Sequence, residues 1–338
     1  MKRSVAVLAI AAGVALLFAS APHARAETNE IRLARQFSMG YLQFNMMEHR
    51  KLLEKYAEKE GIKDLKITWL TFNGPSAMND ALISGSVDIV AGGVPGLLTL
   101  WNRTHGTPQE VRGISALSSQ PFLMNTRKPN IKSIRDLTDN DKIAVPSVKV
   151  SVQAVVLQMA AAKQFGDKDY GKLDHLTVSM SPPDATIALM SGGSEVTCVF
   201  SVPPYQYQQL EKEGIHTVLN SYDVLGGPHS FTVAWTSKKF HDDNPKLYKA
   251  LVAALKEATE MVDKDRRGAA ALWIQDVKSK LPLDFAAGIV AGKQVKWTMA
   301  PENAMKFAAF MHKVGTLKSE PKSWKDLFFP EIHDLNGS

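Results

Sequence analysis

The chain has 338 residues, 45% hydrophobic and 22% charged, with a formal net charge of +6 and a single cysteine. That length suits two packed lobes better than one core, and one cysteine excludes an intramolecular disulfide framework and cysteine-rich metal sites. Charges of both signs are interspersed and no basic block interleaves with aromatics, so nucleic acid is not an expected partner.

At the start, Lys2 and Arg3 precede an apolar or small stretch from Val5 to Ser20, and Ala24-Arg25-Ala26 precedes Glu27. A basic segment, a short apolar run and an A-x-A site together predict a secretory signal peptide cleaved after Ala26, and hence a periplasmic protein. The apolar run is shorter than the roughly 20 residues that a membrane anchor needs. No cysteine near the cleavage site offers a point for lipidation. Removing Lys2, Arg3 and Arg25 lowers the net charge from +6 to +3, so much of the basicity belongs to targeting.

Short β-branched runs then alternate with amphipathic segments, the pattern of an α/β protein. Strands are predicted at Ile31–Ala34 and Leu65–Phe72, with a helix between them running to about Glu60, where Leu52, Leu53, Tyr56 and Ala57 share one stripe. The loop Asn73-Gly74-Pro75 leads to a helix expected to be capped by Ser76, followed by a strand at Val87–Val90, a helix over Pro95–Asn102 and a strand at Val111–Leu117. A similar grammar repeats: strand Ile143–Val145, a helix capped by Ser151, strand Leu176–Met180, helix Pro182–Met190, strand Val196–Phe200, helix Pro204–Glu213 and strand His216–Leu219. Strand Phe231–Trp235 then leads through Asn244-Pro245 to a long helix striped with Leu247, Leu251, Leu255 and Val262, expected to return to the first lobe. Cys198, in an apolar strand, reads as a buried small hydrophobe.

The stretch Gly74-Pro75-Ser76-Ala77-Met78-Asn79-Asp80-Ala81-Leu82-Ile83-Ser84-Gly85-Ser86-Val87-Asp88-Ile89, with Gly92-Gly93, Lys142-Ile143-Ala144-Val145-Pro146-Ser147 and Pro203-Pro204-Tyr205, resembles the nitrate/sulfonate/taurine family of periplasmic solute-binding proteins. The resemblance covers most of residues 30–270. It implies a type II periplasmic binding protein fold, in which two doubly wound lobes are joined by a two-crossover hinge, here residues 27–122 with 232–338 and residues 123–231. It also implies capture of a sulfonate or nitrate in the cleft between lobes and delivery to the transmembrane permease subunits of an ABC importer; a monomer is expected, and the lack of an arginine within the turn segments departs from alkanesulfonate-type binders and keeps an aromatic carboxylate or pyrimidine-like solute as alternatives. No enzyme activity, cofactor or metal is expected, since Walker A, G-x-S-x-G and H-E-x-x-H sequences are absent.

In open α/β sheets ligands lie beyond the carboxyl ends of strands, where helix N-termini present unpaired N–H groups that attract anions. On that ground the candidate ligand-binding residues are Gln36 and Tyr41, then Asn73, Gly74, Ser76 and Ala77, then Gly93 and Val94. From the second lobe come Ser147, Lys149, Val150 and Ser151, then Ser201 and Pro203, with His229 at the return to the first lobe. Glycines let backbone approach a ligand or merely turn the chain, and the serines can donate to a ligand or cap helices. Phe37, Phe72, Phe200 and Tyr205, with Tyr41, would suit an apolar or planar portion. Lys149 could supply a counter-charge, Asp80 already complements the dipole of its helix, and Arg35, at a strand end, is expected to point outward. Two rivals stay open. A ligand-sensing subunit serving a receptor would look the same, and thiamine-pyrimidine precursor synthases share the lobe pattern but carry a cysteine-rich iron-associated motif, against the single cysteine here.

Overall fold

A computed structural model describes residues 27–338; the expected signal peptide, residues 1–26, lies outside the described residues. The β-branched runs form eleven strands: β1 Glu30–Gln36, β2 Lys66–Phe72, β3 Ile89–Gly92, β4 Val111–Ser119, β5 Leu123–Thr126, β6 Lys142–Val145, β7 Thr177–Ser179, β8 Val196–Phe200, β9 His216–Asn220, β10 Ser230–Ser237 and β11 Lys296–Trp297. Two sheets result, ordered β11-β4-β10-β3-β1-β2 and β7-β6-β8-β5-β9. Sequence reading found most of these strands but missed β5 and β11, which are four and two residues long and too short to show a period.

Both sheets share one plan. β1 pairs in parallel with β2 and β3, and β6 in parallel with β7 and β8. The antiparallel strand in the interior of each sheet is the one that has just arrived from the other: β5 pairs antiparallel with β8 and β9, and β10 with β3 and β4, while β11 adds a short antiparallel edge to β4. The chain therefore crosses between the sheets twice, after Ser119 and after Leu225. These crossings are tied side by side: Phe122 N donates to Ser221 Oγ at 3.0 Å, Ser221 N to Phe122 O at 3.0 Å, and Ser119 Oγ to the carbonyl of His229 at 2.7 Å.

Where helices depart from expectation, local chemistry explains it. The first predicted helix is split into Leu42–Arg50 and Leu52–Lys59 by Lys51, whose φ of 51° is left-handed. Gly74, not Ser76, caps Pro75–Ile83, because Pro75 takes the first helical position with its preset φ and missing N–H. Ser151 does cap Val152–Phe165, accepting from Ala154 N at 3.3 Å. Helix Pro245–Lys264 buries Leu247, Leu251, Leu255 and Val262 against the first sheet's helical layer, each such side chain contributing about 1.5–3 kcal/mol. Asn244 does not cap it through its side chain; the Glu27 carboxylate does, accepting from Lys246 N at 3.0 Å and Leu247 N at 2.9 Å. Cys198 is buried, and desolvation raises its thiol pKa.

His229 sits at the second crossing, fully buried among Phe122, Tyr222 and Phe307, with Nε2 2.9 Å from Ser221 Oγ and Nδ1 3.0 Å from the Ser230 carbonyl. Burial pushes its pKa down to about 4. An unfolded histidine titrates near 6.5. The stability contributed by the neutral ring is therefore complete above about pH 6.5 and is lost as pH falls toward 4, by up to about 3 kcal/mol. Urea titrations at about pH 7 and about pH 5 should show this loss, and His229→Gln should flatten it.

Candidate functional site

The carboxyl ends of β1 and β3 in one sheet and of β6 and β8 in the other feed loops that meet between the two sheets. Met39 N donates to the Pro203 carbonyl at 3.0 Å and Ser38 Oγ donates to the same oxygen at 2.8 Å. Ser76 N lies 3.5 Å from Ser147 Oγ. Two glycines allow the sheets to come this close: a Cβ on Gly74 would fall 2.4 Å from the Pro146 carbonyl oxygen, and one on Gly93 would fall 2.6 Å from Val152 Cβ.

Between these contacts lies a small pocket of about 20 Å³, water-sized, lined from the first sheet by Gln36, Tyr41 and Phe231 and from the second by Ser151, Gln153 and Val202, among others. Its wall is otherwise rich in proline: Pro75, Pro146 and Pro182. The amides of Gln36 and of the buried Gln153 make no hydrogen bond among the described residues. Burial raises the Tyr41 pKa far above the usual phenol range, so its hydroxyl stays protonated.

Gln36, Phe37 and Ser38 are shared with a larger adjoining groove of about 420 Å³, within the usual size of a small-molecule site. Arg35, Asn45, Trp273 and Asp276 line it from one side, and Pro183, Tyr205 and Gln208 from the other. Contrary to expectation, Arg35 does not point to solvent. Its side chain is 13% exposed, with Nη2 2.6 Å from Glu48 Oε2 and 3.4 Å from Asp276 Oδ2 and its guanidinium 5.6 Å from the Trp69 ring centre.

Of the residues singled out from sequence, Gln36, Tyr41, Gly93 and Ser151 line the pocket. Gly74, Ser147 and Pro203 make the contacts across it rather than its wall. Val94 and Ser201 are buried outside the lining, and Val150 is half-buried there. Asn73, Ser76, Ala77 and Lys149 are exposed; Lys149 holds a left-handed turn at φ 63° and supplies no charge to the pocket. His229 lines neither cavity, and both of its ring nitrogens are engaged at the crossing.

Sequence reasoning missed Gln153 and Pro182, though each stands in the first turn of a helix whose start it had located. It also missed Trp273 and Asp276. Asn45 and Asp276 hydrogen-bond across 231 residues of sequence, and no local pattern signals such a pairing.

A model of the NMT1-like family matches residues 24–275. Among solved structures, the alkanesulfonate-binding protein SsuA from Xanthomonas axonopodis pv. citri, bound to MOPS, is 18% identical with a TM-score of 0.68, over 87% of this chain and 96% of that one. The periplasmic aliphatic sulphonate binding protein SsuA from Escherichia coli is 18% identical with a TM-score of 0.62, over 89% and 99%. The periplasmic nitrate-binding protein NrtA from Synechocystis PCC 6803 is 16% identical with a TM-score of 0.67, over 87% and 83%. These likenesses establish a shared periplasmic binding protein fold. No curated protein sequence matches the chain significantly.

Because Gly93 meets Val152 without room for a methyl group, Gly93→Ala should hold the two sheets apart. Small-angle scattering should give the variant a larger radius of gyration than the parent, with the cooperative melt retained.

Proposed function

The chain belongs to the NMT1-like family, and on that premise we propose that it is the solute-binding subunit of an ABC importer. It captures a small organic solute between two lobes, residues 27–122 with 232–338 and residues 123–231, and hands it to the permease. It works as a monomer in the periplasm after removal of residues 1–26, and it carries out no chemical step. The observation that carries this reading is a pocket and groove at the strand carboxyl ends, walled by both sheets and holding the unpaired amides of Gln36 and Gln153. Convergent polar groups set among apolar and aromatic walls orient a ligand. Further support comes from the architecture. Two crossings placed side by side let the lobes rotate about one region while the loops at the cleft exchange partners. The printed functions of the similar structures, alkanesulfonate, aliphatic sulphonate and nitrate binding, agree with the role.

Residues 27–338, purified and screened by thermal shift against sulfonates, nitrate, carboxylates and organic amines, should gain about 2.7 kcal/mol with a cognate solute at a hundred times its Kd. The same solute should reduce the radius of gyration in scattering. If no solute of the whole panel changes either quantity, the solute-binding reading is wrong.

A further inference from the structure

Several of the helices that open onto the cleft begin with proline, although Val152–Phe165, whose cap Ser151 lines the pocket, does not. Pro75 starts Pro75–Ile83, Pro95 is second in Val94–Thr104, and Pro182 and Pro183 are first and second in Pro182–Ser191. A helix start binds an anion through its free N–H groups, and each proline removes one of them. Pro75 and Pro182 line the pocket and Pro183 lines the groove, so apolar ring surface stands where one or two of those donors would be.

Charge points the same way. Among the lining residues of pocket and groove, the charged side chains are Arg35 and Asp276. Arg35 is already shared between Glu48 and Asp276. Glu48 stands behind Arg35, outside the groove lining, so two carboxylates surround the one cation of this cluster, while Arg35 Nη1 has no hydrogen-bond partner among the described residues. Asp276 Oδ2 accepts from Asn45 and Arg35, whereas Oδ1 has no partner among the described residues. Gln153, 2% exposed, lines the pocket with its amide unpaired, which is an independent sign that this space is built to hydrogen-bond a guest. Phe37, Tyr205 and Trp273 add aromatic faces to the groove, surfaces that attract organic cations.

We propose that the solute is an organic amine whose protonated nitrogen lies in the groove beside Asp276, with its apolar body against the proline and aromatic walls and its remaining polar group on Gln36 and Gln153. This rests on the solute-binding reading and replaces the expected oxyanion with a cation. Trp273 and Asp276 thereby become specificity-determining residues.

The test is calorimetry of the chain with phenethyl, cyclohexyl and hexyl bodies, each carrying an ammonium, carboxylate or sulfonate group. At least one ammonium member should bind about tenfold or more tightly than its anionic counterparts. Asp276→Asn should weaken that binding about ten- to hundredfold, the effect of removing one charged hydrogen bond. Because Asp276 also holds Asn45 and Arg35, a second variant is needed: Thr71→Lys, at an exposed groove residue, should weaken ammonium binding in the same direction without disturbing that cluster. Tighter binding of a carboxylate or sulfonate would overturn the charge assignment while leaving the solute-binding reading in place. Failure of every ammonium member to bind, or an affinity unchanged in both variants, would overturn it as well.

Discussion

The antiparallel strand inside each sheet governs everything else. A buried strand must pair its backbone on both sides, and in each sheet one interior place is filled by a strand arriving from the other, β5 in one and β10 in the other. The two units cannot be separated without leaving a gap in both ladders. The same exchange puts the crossings side by side, fixed by Ser119, Phe122, Ser221 and His229. It also turns the carboxyl ends of the parallel strands of both sheets toward one cleft, where their loops meet.

Closeness at that cleft is a matter of missing atoms. Gly74 and Gly93 face Pro146 and Val152 at distances that no side chain could share, and Ser38, Met39 and Pro203 add hydrogen bonds between the sheets. The space that remains is unevenly divided. A water-sized pocket lies between the helix starts, and a groove about twenty times larger opens beside it toward Trp273 and Asp276. A solute of any size must therefore use the groove.

The fold is shared with proteins named for binding sulfonates and nitrate. The fold supplies helix starts at the cleft, and this sequence places proline at several of them. Its one groove arginine is paired with two carboxylates, at 2.6 and 3.4 Å, of which Asp276 lines the groove. The field at such a cleft belongs to side chains and to the few N–H groups that proline deletes, not to the backbone plan.

By itself, the sequence determined the alternation of strands and amphipathic helices, the α/β class and the loops from which a cleft would be built. Those features depend on residues a few positions apart, such as the stripe Leu247, Leu251, Leu255 or the cap Ser151. Resemblance to a family added the two-sheet plan. Tertiary structure alone decided which loop residues face the cavity and with what charge. Gln36, Tyr41, Gly93 and Ser151 line it, whereas Ser76 and Lys149 remain exposed and His229 is locked in the crossing. Arg35 was legible as a cation but not as a neutralised one, since its partners Glu48 and Asp276 come from helices 13 and 241 residues away in sequence. Net charge at a site is a sum over spatial neighbours, and sequence order does not record who those neighbours are.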